Sequence, residues 1–321
     1  MNPVLVEATR GPRAESLHRG TAVAVDARGV VLASWGDIAL PVYPRSAVKP
    51  LQALPVIESG AADAFALTRR EIALACSSHS GESIHTAAVA AWLERLGLGP
   101  GDLECGAHRP MDEETATTLL LAGEAPTALH NNCSGKHAGM LTTARHLGET
   151  TLGYLAADHP IQTRVRKRIG EMADTDLGDA PCGIDGCGIP TLALPLAALA
   201  TAFARLPGVA AGRRVLEAMA AEPYLVGGRD RFDSLVMAAA QGAVVCKGGA
   251  EGVWAAVLPQ RGIGLALKID DGAKRAAEAA MAALLGRFSP EVPADVLDRF
   301  AAAPILNVAG RWVGTVRAVL P

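Results

Sequence analysis

The chain has 321 residues, half of them apolar and a fifth charged, with a formal net charge of −3 at pH 7. That length supports a large core in one interleaved domain or two, and the balance of charge gives no electrostatic basis for a nucleic-acid or anionic-membrane partner. No basic segment followed by a long apolar core opens the chain, and no apolar run reaches membrane-spanning length, so a cytoplasmic location is expected.

Taken in chain order, residues 21–25 and 30–34 read as two strands of a hairpin around the turn at 26–29. From 46 to 240 the periodicity is mostly helical, with predicted helices over 83–96, 113–122, 139–147, 160–172, 192–205, 212–221 and 234–240. Strands return at 243–247, 252–258 and 262–268, followed by an alanine-rich helix over 272–286 and a last strand at 311–319. Strands at both ends with helices between predict an α/β (α+β) fold. In it, 1–45 and 241–321 form an antiparallel sheet region, and 46–240 is a largely helical insertion. No internal repeat or low-complexity tract interrupts this pattern.

Six cysteines (76, 105, 133, 182, 187 and 246) in a chain of this size do not read as a disulfide framework. Cys133 and Cys187 stand apart, because glycines and polar residues flank them and suggest turns that present a side chain. The lysines stand out as well: there are six, against twenty-four arginines. Lysine can be neutralised by its surroundings and then act as a base or ligand, whereas arginine keeps its proton. Three of the six, Lys49, Lys136 and Lys247, lie in short polar motifs.

Ser46-x-x-Lys49 places a hydroxyl and an amine on one face of a helical turn. A neutral lysine there can take the serine proton and make a nucleophile. Pro50 suits the first turn of a helix, which puts Ser46 near backbone N–H groups able to stabilise developing negative charge. The same pattern also suits a serine N-cap beside an exposed lysine. Residues 76–82 concentrate hydroxyls and the His79 imidazole, and Lys247-Gly248-Gly249 closes a predicted strand. Ser-x-x-Lys, a polar loop and a Lys-[Thr/Ser]-Gly strand are the ingredients of penicillin-recognising serine hydrolases. Gly248 departs from that pattern, since it lacks the hydroxyl. Cys133-x-x-Lys136-His137, with Cys182, Asp185 and Cys187 downstream, offers thiolates suited to a borderline cation such as zinc, or simply two turns with buried thiols.

Together these segments resemble the rhizobial-type (class 3) L-asparaginases, a family related in fold to serine β-lactamases and glutaminases. The matching stretches are Arg-Ser-Ala-Val-Lys-Pro at 45–50, Ser78-His79-Ser80, Asn-Cys-Ser-Gly-Lys-His at 132–137, Asp185-Gly186-Cys187 with Pro190-Thr191, and the Lys247 strand. The resemblance implies a β-lactamase/glutaminase-like fold and hydrolysis of L-asparagine to L-aspartate and ammonia. It implies two Ser-Lys pairs, Ser46 with Lys49 and Ser78 with Lys247. It also implies a zinc site at Cys133, Lys136 and Cys187. Asp185 would engage the substrate amine, with Arg45, Asn132 and His137 in the same pocket, and the enzyme would be a homodimer. Two other readings stay open: a different serine amidase or esterase of this fold, such as a glutaminase, and a non-catalytic metal-binding protein.

Overall fold

In the computed structural model, which describes residues 1–320, the chain divides into two compact units. The first comprises Met1–Val48, Ala193–Arg205 and Ala239–Pro321, and the second Lys49–Leu192 and Leu206–Ala238. The fold is mixed α/β, with an antiparallel sheet built from both termini, as the sequence predicts.

The first unit is organised on eight strands: β1 (Val4–Arg10), β2 (Arg13–Asp26), β3 (Val31–Trp35), β4 (Val245–Gly248), β5 (Val253–Leu258), β6 (Ile263–Ile269), β7 (Ala302–Leu306) and β8 (Trp312–Ala318). Their order is β7-β8-β1-β2-β6-β5-β4, with β3 paired to the free side of β2. Every pairing is antiparallel. Register places Lys247 opposite Ala255, Ala255 opposite Ala266 and Ala266 opposite Val23, a row of buried positions.

Strand β4 ends the sheet yet is buried along its whole length, because the short 3-10 turn Arg45–Val48 packs over it. Two glycines permit that approach. A Cβ on Gly249 would come within 2.8 Å of Pro44 O, and one on Gly248 within 2.4 Å of the Trp254 ring. Gly248 is the position where the penicillin-recognising pattern carries a hydroxyl, and here the Trp254 indole takes the space. The helix Leu196–Arg205 belongs to this unit and packs on β2 and β6.

The second unit is helical apart from one two-stranded hairpin, Cys182–Ile184 with Pro190–Leu192. The predicted helices appear at Ser83–Arg95, Glu113–Ala122, Pro160–Ala173, Ala210–Ala221 and Phe232–Ala240. One boundary differs in a way that matters: the helix expected from 139 begins at Ser134 and runs to Leu147. Cys133 is therefore its N-cap, and Lys136 and His137 sit in its first turn, not on an irregular loop. Strand β1, the first half of β2 and the terminal Ala294–Ala301 helix with β7 are further departures, since short runs like these do not separate strand from helix by period alone. Among the described residues no helix is long and apolar enough to cross a membrane.

Candidate active site

In the first unit Ser46 stands half-buried in the 3-10 turn that covers β4, beside Arg45, whose φ is 48°. Positive φ at a non-glycine residue is costly and marks a turn its surroundings hold in place. Lys247 lies within β4 and is completely buried, with its Nζ donating to Gly248 O at 2.5 Å. The turn bearing Ser46 and the strand bearing Lys247 thus meet within one unit.

The second unit begins at Lys49, which opens the short helix Lys49–Gln52 and is 1% exposed. Its Nζ donates to Ser77 O at 2.5 Å and lies 3.0 Å from Ser78 Oγ and 3.4 Å from Asn132 O. Within this unit, then, the hydrogen-bond partner of the Ser78 hydroxyl is Lys49. The segment carrying Ser78 leaves the Arg69–Ala75 helix and is pinned on both sides. Ser78 N–H donates to Val226 O at 2.9 Å, Ser80 Oγ to Gly227 O at 2.8 Å, and Ser77 Oγ back to Leu74 O at 2.7 Å. Residues 77–80 are all buried, so these bonds replace the water the backbone and hydroxyls have lost.

The Ser134–Leu147 helix supplies the next groups. Asn131 Oδ1 accepts Cys133 N–H at 2.9 Å while its amide donates to Cys105 O at 2.8 Å, which anchors the helix start. Gly135 lets this start press against the end of the Arg69–Ala75 helix, since a Cβ there would lie 2.3 Å from Leu74 O. His79 ties the two segments together: its Nδ1 accepts Gly81 N–H at 3.1 Å and its Nε2 donates to Ser134 Oγ at 2.8 Å. Burial, reinforced by His85 and Lys49, keeps this imidazole neutral well below its ordinary range.

Lys136 and the two cysteines form one buried cluster. Lys136 Nζ donates to Cys187 Sγ at 2.9 Å, and the three residues are 3–4% exposed. A hydrogen bond from the Cys187 thiol holds the Cys133 thiol well below its ordinary value, aided by the positive charges of Lys136 and Lys49. The same bond, with burial, pushes Cys187 up. Burial works against charge on Lys136, but the two sulfurs outweigh it and keep the amine protonated. Cys133 Sγ also lies 3.2 Å from Asn132 Oδ1. Cys187 sits in the hairpin turn after Asp185, whose Oδ1 accepts Gly186 N–H at 2.7 Å. Asp185 is close enough to favour the charge on Lys136. Cys182 is exposed and Cys105, with its thiol pushed up to about 12 by burial, stays outside the cluster's hydrogen bonds.

His137 is completely buried, within electrostatic reach of Lys136 and Lys49, and its Nδ1 lies 2.7 Å from the Tyr154 hydroxyl. Sequence reasoning did not single out Tyr154 or Asn131. Asn131 stands two residues before the Cys133 N-cap, outside the position at which an asparagine signals a helix start. Nothing in the sequence marks Tyr154, which meets His137 only through the fold.

The unit thus brings Lys49, Ser78, Asn132, Cys133, Lys136, His137, Asp185 and Cys187 into one neighbourhood. Two thiols and an amine are a donor set compatible with zinc. Among the described residues no group of three or more histidine, cysteine, aspartate or glutamate side chains converges as a metal site, so any such site depends on the lysine.

A crystal structure of a beta-lactamase from Mycobacterium bovis is similar at 14% identity and a TM-score of 0.44, over 84% of this chain and 95% of that one. No curated protein matches the chain. The family model described as L-asparaginase II matches residues 6–318. That match takes in nearly the whole chain and every group described above, and the chain belongs to the L-asparaginase II family. It is accordingly an enzyme of the L-asparaginase class, with L-asparagine as the substrate at family level.

Proposed function

We propose that the protein hydrolyses the side-chain amide of L-asparagine through a covalent acyl-serine, with Ser46 as nucleophile and Lys49 as its base. The observation that carries this reading is the setting of Lys49: a buried amine, three residues along the chain from Ser46, held against the Ser78 hydroxyl at 3.0 Å. In the first step the Ser46 oxygen attacks the amide carbon while its proton passes to Lys49, which must already have given up its own ammonium proton to act as a base. Backbone N–H groups at the turn of Ser46 receive the developing negative charge on the carbonyl oxygen. The proton then moves to the departing ammonia, through Ser78 or with the help of Lys247. Water cleaves the acyl-serine in a second step that regenerates Ser46 and releases L-aspartate.

Cys133, Lys136 and Cys187 would hold zinc. What supports this is the softness of two sulfurs beside one buried amine whose hydrogen-bond partner among the described residues is Cys187 Sγ. Bound there, zinc would supply a Lewis-acidic positive centre that orients an anionic or carbonyl oxygen of the substrate. Asp185 pairs with the substrate ammonium through charge-assisted hydrogen bonds, and Arg45, Asn132 and His137 serve the same pocket. A glutamine chain, longer by one methylene, displaces the amide carbon from Ser46 and reacts more slowly.

The test is ammonia release from L-asparagine and L-glutamine by the purified protein, beside its Ser46→Ala variant. Release from asparagine that vanishes in a folded Ser46→Ala sample is the expected result. Undiminished turnover in that variant would remove Ser46 as nucleophile, and turnover of glutamine ahead of asparagine would move the substrate assignment.

A further inference from the structure

Tyr154 is completely buried, and its hydroxyl oxygen has two neighbours: Glu104 N–H donates to it at 3.0 Å, and His137 Nδ1 lies 2.7 Å away. A backbone N–H can only donate, so that bond occupies a lone pair of the phenol and leaves the phenol's own hydrogen to be placed. A buried hydroxyl seldom leaves its hydrogen unused, and the acceptor within its reach among the described residues is His137 Nδ1. The phenol therefore donates to Nδ1, and the imidazole hydrogen resides on Nε2. That Nε2 is itself buried and has no hydrogen-bond partner among the described residues. Leaving a buried donor unpaired is unfavourable, and the imbalance is relieved only by an acceptor from outside the chain. The ring is set edge-on to Tyr154, with centroids 5.4 Å apart and planes at 74°, so it is packed in place.

We propose that Tyr154 is a positioning residue that fixes His137 as an Nε2–H donor, ready for an acceptor oxygen of the bound substrate. The ligand chemistry is that of a carbonyl or carboxylate oxygen. Only the naming of that ligand rests on the asparaginase reading above; the tautomer follows from the hydrogen bonds alone. Glu104 holds this arrangement twice, its N–H donating to the phenol and its Oε1 accepting Gly153 N–H at 2.7 Å, directly before Tyr154.

The experiment uses protein labelled with 15N at its histidines, with the His137→Gln variant identifying the His137 signals. Long-range 15N–1H correlation spectra then read the tautomer of the ring in the wild type and in Tyr154→Phe, before and after saturation with L-aspartate. The expected wild-type ring carries its hydrogen on Nε2, and L-aspartate shifts that signal. Tyr154→Phe should yield a mixture of tautomers and raise KM for asparagine about tenfold with kcat changed less, the scale of one hydrogen bond to a ligand. A wild-type ring protonated on Nδ1 overturns the proposal, as does a Tyr154→Phe ring that keeps the wild-type tautomer. An Nε2–H signal that saturating L-aspartate fails to move overturns the ligand half, leaving a water as its partner. If the ring is an Nε2–H donor but asparagine is not hydrolysed, the substrate reading fails and the tautomer stands. Should Tyr154→Phe not fold, the wild-type spectra with and without L-aspartate still decide.

Discussion

Lys49 Nζ lies 3.0 Å from the hydroxyl oxygen of Ser78, and the two groups are 1% and 6% exposed. The contact links the first residue of one short helix to a loop held by 226–227, so any change in one is felt by the other. Lys49→Arg should lower ammonia release at least a hundredfold, because a guanidinium does not serve as a base and the site has no room for it. Ser78→Ala should cost less, since Lys49 retains Ser77 O and Asn132 O. Steady-state kinetics with thermal melts separate catalytic from structural loss. Good activity in a folded Lys49→Arg sample would reduce Lys49 to a brace.

Gly248→Thr would restore the hydroxyl of the penicillin-recognising pattern, but its Cβ would enter the Trp254 ring. Overpacking of this kind costs about 1–3 kcal/mol. The measurement is urea denaturation of Gly248→Thr, of Trp254→Ala and of the double variant. The threonine should cost less when the indole is absent, and equal costs in both backgrounds would show that Trp254 is not what excludes the side chain.

Much of this was legible in the sequence. The helices over 83–96 and 160–172 and the strands over 252–268 carry enough apolar residues in period to declare themselves. The scarcity of lysine pointed to Lys49, Lys136 and Lys247, all three of which are buried. Less legible was how Cys133 and Lys136 are presented. Cys-Ser-Gly-Lys looks like a turn because glycine and serine are poor helix formers. The helix nevertheless starts there, since Asn131 Oδ1 holds the N–H of the Cys133 N-cap and Gly135 allows contact with Leu74. Tertiary packing decides such a boundary, and local propensity does not report it. The link from Lys49 to Ser78, like that from His137 to Tyr154, joins segments whose meeting no spacing rule predicts.

Cys133→Ser and Cys187→Ser should each lower the zinc content of protein purified in its presence, read by elemental analysis, and Lys136→Met should lower it as well. Thiols and amines must lose their protons before they ligate. Affinity should therefore rise with pH, and zinc binding should release protons into an unbuffered solution. Zinc content unchanged in the double cysteine variant would remove the site. Retained turnover without zinc, with KM raised and kcat intact, would assign the metal to substrate affinity alone.

His79 should make the fold sensitive to mild acid. Its ring is fully buried among His85, Lys49, His130 and His108, all of which oppose a positive charge on it. Both nitrogens are committed, one accepting Gly81 N–H and the other donating to Ser134 Oγ, whose hydroxyl donates onward to Leu129 O at 3.0 Å. Protonation would place a hydrogen on Nδ1 where Gly81 N–H already points. The folded ring therefore stays neutral while the unfolded one titrates near its ordinary value of about 6.5. Below that pH the unfolded chain binds the extra proton, so stability falls as pH falls, by about 1.4 kcal/mol per pH unit for this one group. Above it the effect disappears. Comparing urea unfolding at pH 7.5 and 5.5 in the wild type and in His79→Gln isolates the contribution, because the remaining histidines and carboxylates are common to both. The variant should be less stable at pH 7.5 yet lose less on acidification. An identical loss in both proteins would mean that His79 takes up its proton without unfolding the chain.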